Sequence, residues 1–112
     1  MSIDSYHFHI YYQLDEFEKA ESIVEKIKHF KKEDEIGRLW KKPVGPHPIC
    51  SCQISANLGE LESLCLWFMK NRDGLSIFVH GQSGDDLKDH TDYVMWIGKS
   101  YDLNLSLFAA QT

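Results

Sequence analysis

Hydrophobic and polar positions alternate most cleanly between Tyr6 and Tyr12. Phe8, Ile10 and Tyr12 fall on one side there, and His7, His9 and Tyr11 on the other. Aromatic and β-branched residues at a period of two predict a strand. The period then lengthens. Phe17, Ala20, Val24, Ile27 and Phe30 recur at helical spacing. Asp15, with Glu18 three residues on as a capping box, opens this helix, and the polar run Lys31 to Glu35 ends it. Ile36 to Lys42 reads as a short strand. The segment Pro43-Val44-Gly45-Pro46-His47-Pro48 reads as a turn, because three prolines and a glycine do not fit a ladder.

Alternation returns from Ile49 to Ala56, with Cys50, Cys52 and Ile54 on one face and Ser51, Gln53 and Ser55 on the other. Asn57 and Glu60 repeat the capping signature. Leu61, Leu64, Cys65 and Phe68 then make the apolar stripe of a second helix that ends near Asp73-Gly74. Leu75 to His80 predicts another strand, with Leu75, Ile77 and Val79 opposite Ser76, Phe78 and His80. Beyond the loop at 81–84, Asp85 to Gly98 reads as a short helix and Asp102 to Phe108 as a further strand.

Up to His80 the order is β-α-β-β-α-β. Two βα units joined by a hairpin predict an α+β, ferredoxin-like sandwich with a C-terminal extension. Its antiparallel sheet would run 75–80, 6–12, 49–56, 36–42, with both helices on one face. That face takes the apolar set. The open face then carries His7, His9, Tyr11, Ser51, Gln53, Ser76, Phe78 and His80. The two strands that end the fold are antiparallel neighbours, so His80 comes within reach of His7 and His9.

Composition adds bounds. The 112 residues make one domain, and 43% hydrophobic with 26% charged residues is ordinary for a folded chain. A net charge of −5 leaves no electrostatic footprint for nucleic acid. The basic cluster Lys26, Lys28, Lys31 and Lys32 reads as a solvated helix end. The three cysteines and the absence of a signal-like apolar segment predict no disulfide framework and a cytoplasmic location. No apolar run reaches the roughly 20 residues of a membrane helix.

The chemistry lies in the histidines, six in all. A single histidine on a strand is usually a hydrogen-bonded structural residue. Several converging on one rigid sheet face favour a metal site, since imidazole suits zinc, iron, copper and nickel. Prolines on both sides of His47 fix its backbone, which serves a stiff turn and a ligand alike. Asp85, Asp86 and Asp89 read as an acidic helix start or as carboxylates near the site. His90 reads as a proton carrier. Trp40, Trp67 and Trp96 read as core or interface.

The runs Phe8-His9-Ile10-Tyr11, Pro43-Val44-Gly45-Pro46-His47-Pro48 and Leu75-Ser76-Ile77-Phe78-Val79-His80 occur in that order. Gly84-Asp85-Asp86-Leu87-Lys88-Asp89-His90-Thr91, then Trp96-Ile97-Gly98, follow them. Together with Gly37-Arg38, this set resembles the small DOPA 4,5-dioxygenase family over nearly the whole chain. The resemblance implies extradiol cleavage of a catechol such as DOPA by dioxygen with non-haem Fe(II); zinc or another divalent metal is the alternative cofactor. It implies His9, His47 and His80 as metal ligands, His90 or His7 as the acid or base beside them, and Arg38 with Tyr11 meeting the substrate, Arg38 at a carboxylate.

In an ideal ferredoxin-like sheet His47 and His80 lie at opposite ends of the first strand. The turn therefore folds back, the strand boundaries shift, or His47 comes from a second subunit; otherwise His7, His9 and His80 form the ligand set. Two other function classes compete with the dioxygenase. One is a non-catalytic dimeric ligand-binding module. The other is a zinc hydrolase with Asp85 or Asp89 as general base. The exposed polar-aromatic sheet face leads to the expectation of a homodimer, with the segment from Gly81 to Phe108 closing the site or meeting the partner.

Overall fold

The alternation of the first strand is realised without interruption in β1, Ser5–Tyr12. In the computed structural model, which describes residues 2–111 with side chains to Phe108, β1 is a central strand. It pairs antiparallel with β2, Cys50–Asn57, and with β3, Ser76–Gly81. Phe8 sits opposite Ile54 and Val79, and Ile10 opposite Cys52 and Ile77. These apolar pairs set the register, because a one-residue slip would exchange the two faces.

Two helices cover the apolar face. α1, Phe17–Ile27, buries Ala20, Ile23, Val24 and Ile27. α2, Leu61–Asn71, buries Leu64 and Phe68. They close over Phe8, Ile10, Tyr12, Cys50, Cys52, Ile54, Leu75, Ile77 and Val79 as one core. The capping box before α2 is present: Asn57 Oδ1 accepts from the Glu60 N–H, and Glu60 Oε1 accepts from the Asn57 N–H, each at 3.1 Å. Before α1 the box is shifted two residues from the expected Asp15 and Glu18. Glu16 accepts from the Gln13 N–H at 2.9 Å, and a 3₁₀ turn at Leu14–Glu16 leads into the helix. Phe30, expected on the apolar stripe, is 49% exposed, and Ile23 takes its place in the core.

The sheet order is β2-β1-β3-β4, all antiparallel. Its three adjacent strands match the expected order, and the edges differ. Ile36 to Lys42 forms no strand. It touches β2 through one bridge, Ile36 to Ile54, and through the Gly37 and Trp40 amides, which donate to the carbonyls of Gln53 and Ser51. The fourth strand is instead β4, Val94–Ile97, on the far side of β3. The helix expected over 85–98 is a single turn, α3, Asp86–Asp89, capped by Asp85, which accepts from the Lys88 N–H. Asp102 to Phe108 is not a strand: its later part joins a 3₁₀ segment at Leu105–Gln111.

Lys31 also departs from expectation. It is buried, and its ammonium donates to Glu35 at 2.8 Å and Glu60 at 2.9 Å. It ties the end of α1 to the start of α2. Among the described residues, no helix is long and apolar enough to cross a membrane, and all three cysteines are free.

Candidate metal centre

The second face of β1 and β3 brings the histidines together. His7 lies opposite His80 in the ladder, and His9 opposite Phe78. The diagonal neighbours His9 and His80 meet directly, with 3.0 Å between their Nε2 atoms. His7 completes a trio whose candidate ligand atoms all lie within 4.8 Å of one another. His9 and His80 are buried, and His7 is half-buried.

His47 reaches the same place from within the chain. The proline turn folds back over the sheet, and the His47 ring lies 4.2 Å from that of His9, centre to centre. Of the three ways to bring His47 near His9, the fold takes the first. Its Nδ1 lies 2.6 Å from the Tyr11 hydroxyl. Among the described residues the buried Tyr11 phenol shows no other hydrogen bond, so its hydrogen goes to Nδ1 and His47 carries its own proton on Nε2. Burial raises the Tyr11 pKa, which keeps the phenol protonated.

His90 stands on the other side, its ring 4.4 Å from that of His80 and stacked at 4.6 Å on Phe108. Its Nδ1 is 2.7 Å from the Asp86 carbonyl. His80 Nδ1 is 2.9 Å from the Gly81 carbonyl. A carbonyl only accepts, so both rings carry the proton on Nδ1 and present Nε2 as a lone pair. Asp89 is buried and accepts from the Ser83 amide and hydroxyl.

Electrostatics favours neutral imidazoles. Burial, reinforced by neighbouring histidines, lowers the pKa of His47 to about 4. Burial is also the main cause that brings His80 to about 4. His9 is pushed well below its ordinary value by burial and then by His47 and His80, and His7 is lowered by burial and His90. At neutral pH these imidazoles are uncharged, each keeping one nitrogen as a lone pair, the state that divalent metals require of a ligand.

A cavity of about 260 Å³ opens over the cluster, lined by His7, His9, His47, His80 and His90 with Gln53 and Phe108 among its walls. Its volume suits one small aromatic ring. Gln53 was legible on the open face from alternation, and Phe108 ends the segment from Gly81 that was expected to close the site or meet the partner. Two expected site residues lie elsewhere. Tyr11 sits behind His47, packed against Trp96 and Tyr101. Arg38 is exposed, its guanidinium 4.8 Å above the Trp40 ring, and it does not line the cavity. Trp96, which stacks on Phe78 at 4.6 Å, belongs to the open face. The segment after Gly81 closes this face within the chain. Phe108 covers His90, and the Asn104 amide donates to the Pro46 carbonyl. A second cavity of about 280 Å³, lined by Ile3, Tyr6, Leu61 and residues of β3 and β4, is mainly apolar and gathers no such set of donors.

Comparison with known proteins decides the family. The model of the Dopa 4,5-dioxygenase family matches residues 6–107. The chain belongs to this family. It is 30% identical over 112 residues to DOPA 4,5-dioxygenase of Amanita muscaria, covering 93% of this chain and 49% of that protein. It is 29% identical to an uncharacterized 21.2 kDa protein of Botryotinia fuckeliana, covering 95% of this chain and 62% of that one. The chain thus spans about half to three-fifths of the length of these curated relatives. A crystal structure of a presumptive dioxygenase from Nostoc punctiforme superposes with a TM-score of 0.90 at 31% identity, covering 98% of this chain and 95% of that one. The α+β fold with its antiparallel sheet is therefore the fold of a dioxygenase-like protein.

Proposed function

We propose that the chain is an extradiol dioxygenase that opens the ring of a catechol, DOPA or a related compound, with dioxygen and a divalent metal, Fe(II) first. The observation that carries this reading is the approach of His9 Nε2 and His80 Nε2 to 3.0 Å, with His7 beside them, in a family of dioxygenases. Two imidazole nitrogens bound at about 2.1 Å and at right angles on one ion are about 3.0 Å apart, so the spacing fits shared coordination. We assign His7, His9 and His80 as the ligands. His47, with its Nε2 protonated because Nδ1 accepts from Tyr11, stands beside them as a hydrogen-bond donor.

Iron held by three imidazoles on one side would offer its remaining positions to the catechol oxygens and dioxygen together. The protein groups then handle protons. His90, whose Nε2 is a lone pair, is placed to take the proton of a catechol hydroxyl. Protonated in that step, His90 is placed to return the proton, and the His47 Nε2–H is placed to donate a hydrogen bond to a bound oxygen. Phe108 and Pro46 of the proline turn line the cavity beside these groups. The hydrolase reading is less well supported, because Ser83 occupies both Asp89 oxygens that would serve as base.

The test is anaerobic loading of the full chain with Fe(II), metal analysis, then addition of a catechol in air. Consumption of one dioxygen per ring, with formation of a ring-opened semialdehyde, is expected. Stoichiometric iron without dioxygen uptake on any simple catechol would overturn the reading.

A further inference from the structure

The charged residues around the cavity are all of one sign. Asp86 and Asp89 line it, and no Lys or Arg does among the described residues. Arg38, the cation expected to read a substrate carboxylate, lies over Trp40 and lines a separate surface recess with residues 39–42. Lys88, on the same short helix as the two aspartates, is exposed and also off the lining. Residues 100–112 contain no Lys or Arg. Ser83 donates its amide and its hydroxyl to Asp89, whose charge acts on both His7 and His80. The remaining polar walls, Gln53 and Gln82, are neutral.

A catechol whose hydroxyls face the three imidazoles presents its ring substituent to the rest of this lining. A carboxylate there would be desolvated beside Asp86 and Asp89 with no cation to meet it, and an ammonium would be attracted. We propose that the cavity selects catechols bearing a cationic substituent over catechols bearing an anionic one. This rests on the ring-cleavage reading and adds the substrate's charge class to it. Across a half-open site with an effective dielectric near 20, one unit of charge at such separations discriminates on the order of tenfold.

The experiment titrates two probes of equal length, aminoethyl-catechol and carboxyethyl-catechol, into the full chain loaded with zinc, so that binding is read by calorimetry without turnover. Iron-loaded chain is assayed with both in parallel. The aminoethyl probe should bind at least about tenfold tighter, and added salt should narrow the gap. Gln53→Lys, which places a cation in the lining, should narrow the gap severalfold; Gln82→Lys serves if the first variant does not fold. Equal or inverted affinities, while the iron form cleaves both rings, would overturn the charge selection and leave ring cleavage standing. An unchanged preference in both lysine variants would overturn it equally. If neither probe is bound or cleaved, the ring-cleavage reading falls and takes the selection with it.

Discussion

Acid should unfold the metal-free protein through its histidines before its carboxylates titrate. His47 and His80 have pKa values near 4 in the fold, against about 6.5 when exposed, and burial is the main cause for both. His9 is shifted in the same direction. A folded pKa below the unfolded one means that the unfolded chain binds the extra proton. The stabilisation is therefore complete above pH 6.5 and is lost as pH falls toward 4. Each such histidine lowers stability by about 2 kcal/mol between pH 7 and pH 5. His47 and His80 together give roughly 4 kcal/mol, because the unfolded forms are charged over that range and the folded ones are not, and His9 adds in the same direction. That is a large part of the 5–15 kcal/mol typical of a domain. Urea denaturation of metal-free protein, followed by circular dichroism at pH 5, 6 and 7, measures it. Equal unfolding free energies at pH 5 and pH 7, within about 1 kcal/mol, would refute the claim that these imidazoles are held neutral.

Four further outcomes follow from the same contacts. His9→Ala and His80→Ala should each lose metal binding in equilibrium dialysis yet keep the native circular dichroism, since both side chains border an existing cavity and not the helix-covered core. His90→Ala should retain the metal and slow turnover by roughly 10²–10⁴-fold in an oxygen-electrode assay. Tyr11→Phe removes the donor to His47 Nδ1 and should cost about 1 kcal/mol in urea denaturation, with a fall in turnover larger than any loss of metal. Lys31→Ala should destabilise by about 2 kcal/mol or more, measured the same way, because it leaves Glu35 and Glu60 without their shared cation.

The parts legible in the sequence were those where burial imposes a period. In β1, β2 and β3 one face packs on helices and the other does not, so alternation identified both faces and placed His7, His9 and His80 together. β4 escaped because Tyr93-Val94-Met95-Trp96-Ile97 is apolar throughout, and a short unbroken run does not distinguish strand from helix. The Asp85 cap was real, but the helix it opens ends after one turn. Leu103, Leu105 and Leu107 suggested a strand over 102–108. Leu103 and Leu105 are half-buried there, but that segment joins no ladder and Leu107 is 51% exposed. Lys31 looked like any lysine at a helix end. Its burial depends on Glu60, 29 residues away, and no local pattern reports such a partner.

The position of His47 was the hardest to read, and the reason separates its role from that of the other histidines. His7, His9 and His80 are placed by the core itself. Phe8 and Ile10 lock β1 against Ile54, Cys52, Val79 and Ile77, and that register alone puts the three rings on the opposite face. The site therefore needs no stabilising contribution of its own to form, and a metal-free chain that folds has the trio assembled. His47 has no such guarantee. It depends on a proline turn with a single internal backbone bond, from the His47 amide to the Val44 carbonyl at 3.1 Å, on the Asn104 amide at Pro46, and on the Tyr11 hydroxyl. These contacts can be lost without disturbing the sheet. A group held by the sheet suits the fixed geometry of a metal ligand. A group held by a turn and one phenol suits a hydrogen-bond donor that must meet a substrate after it has entered, and the proposed division of labour among these histidines rests on how each is held.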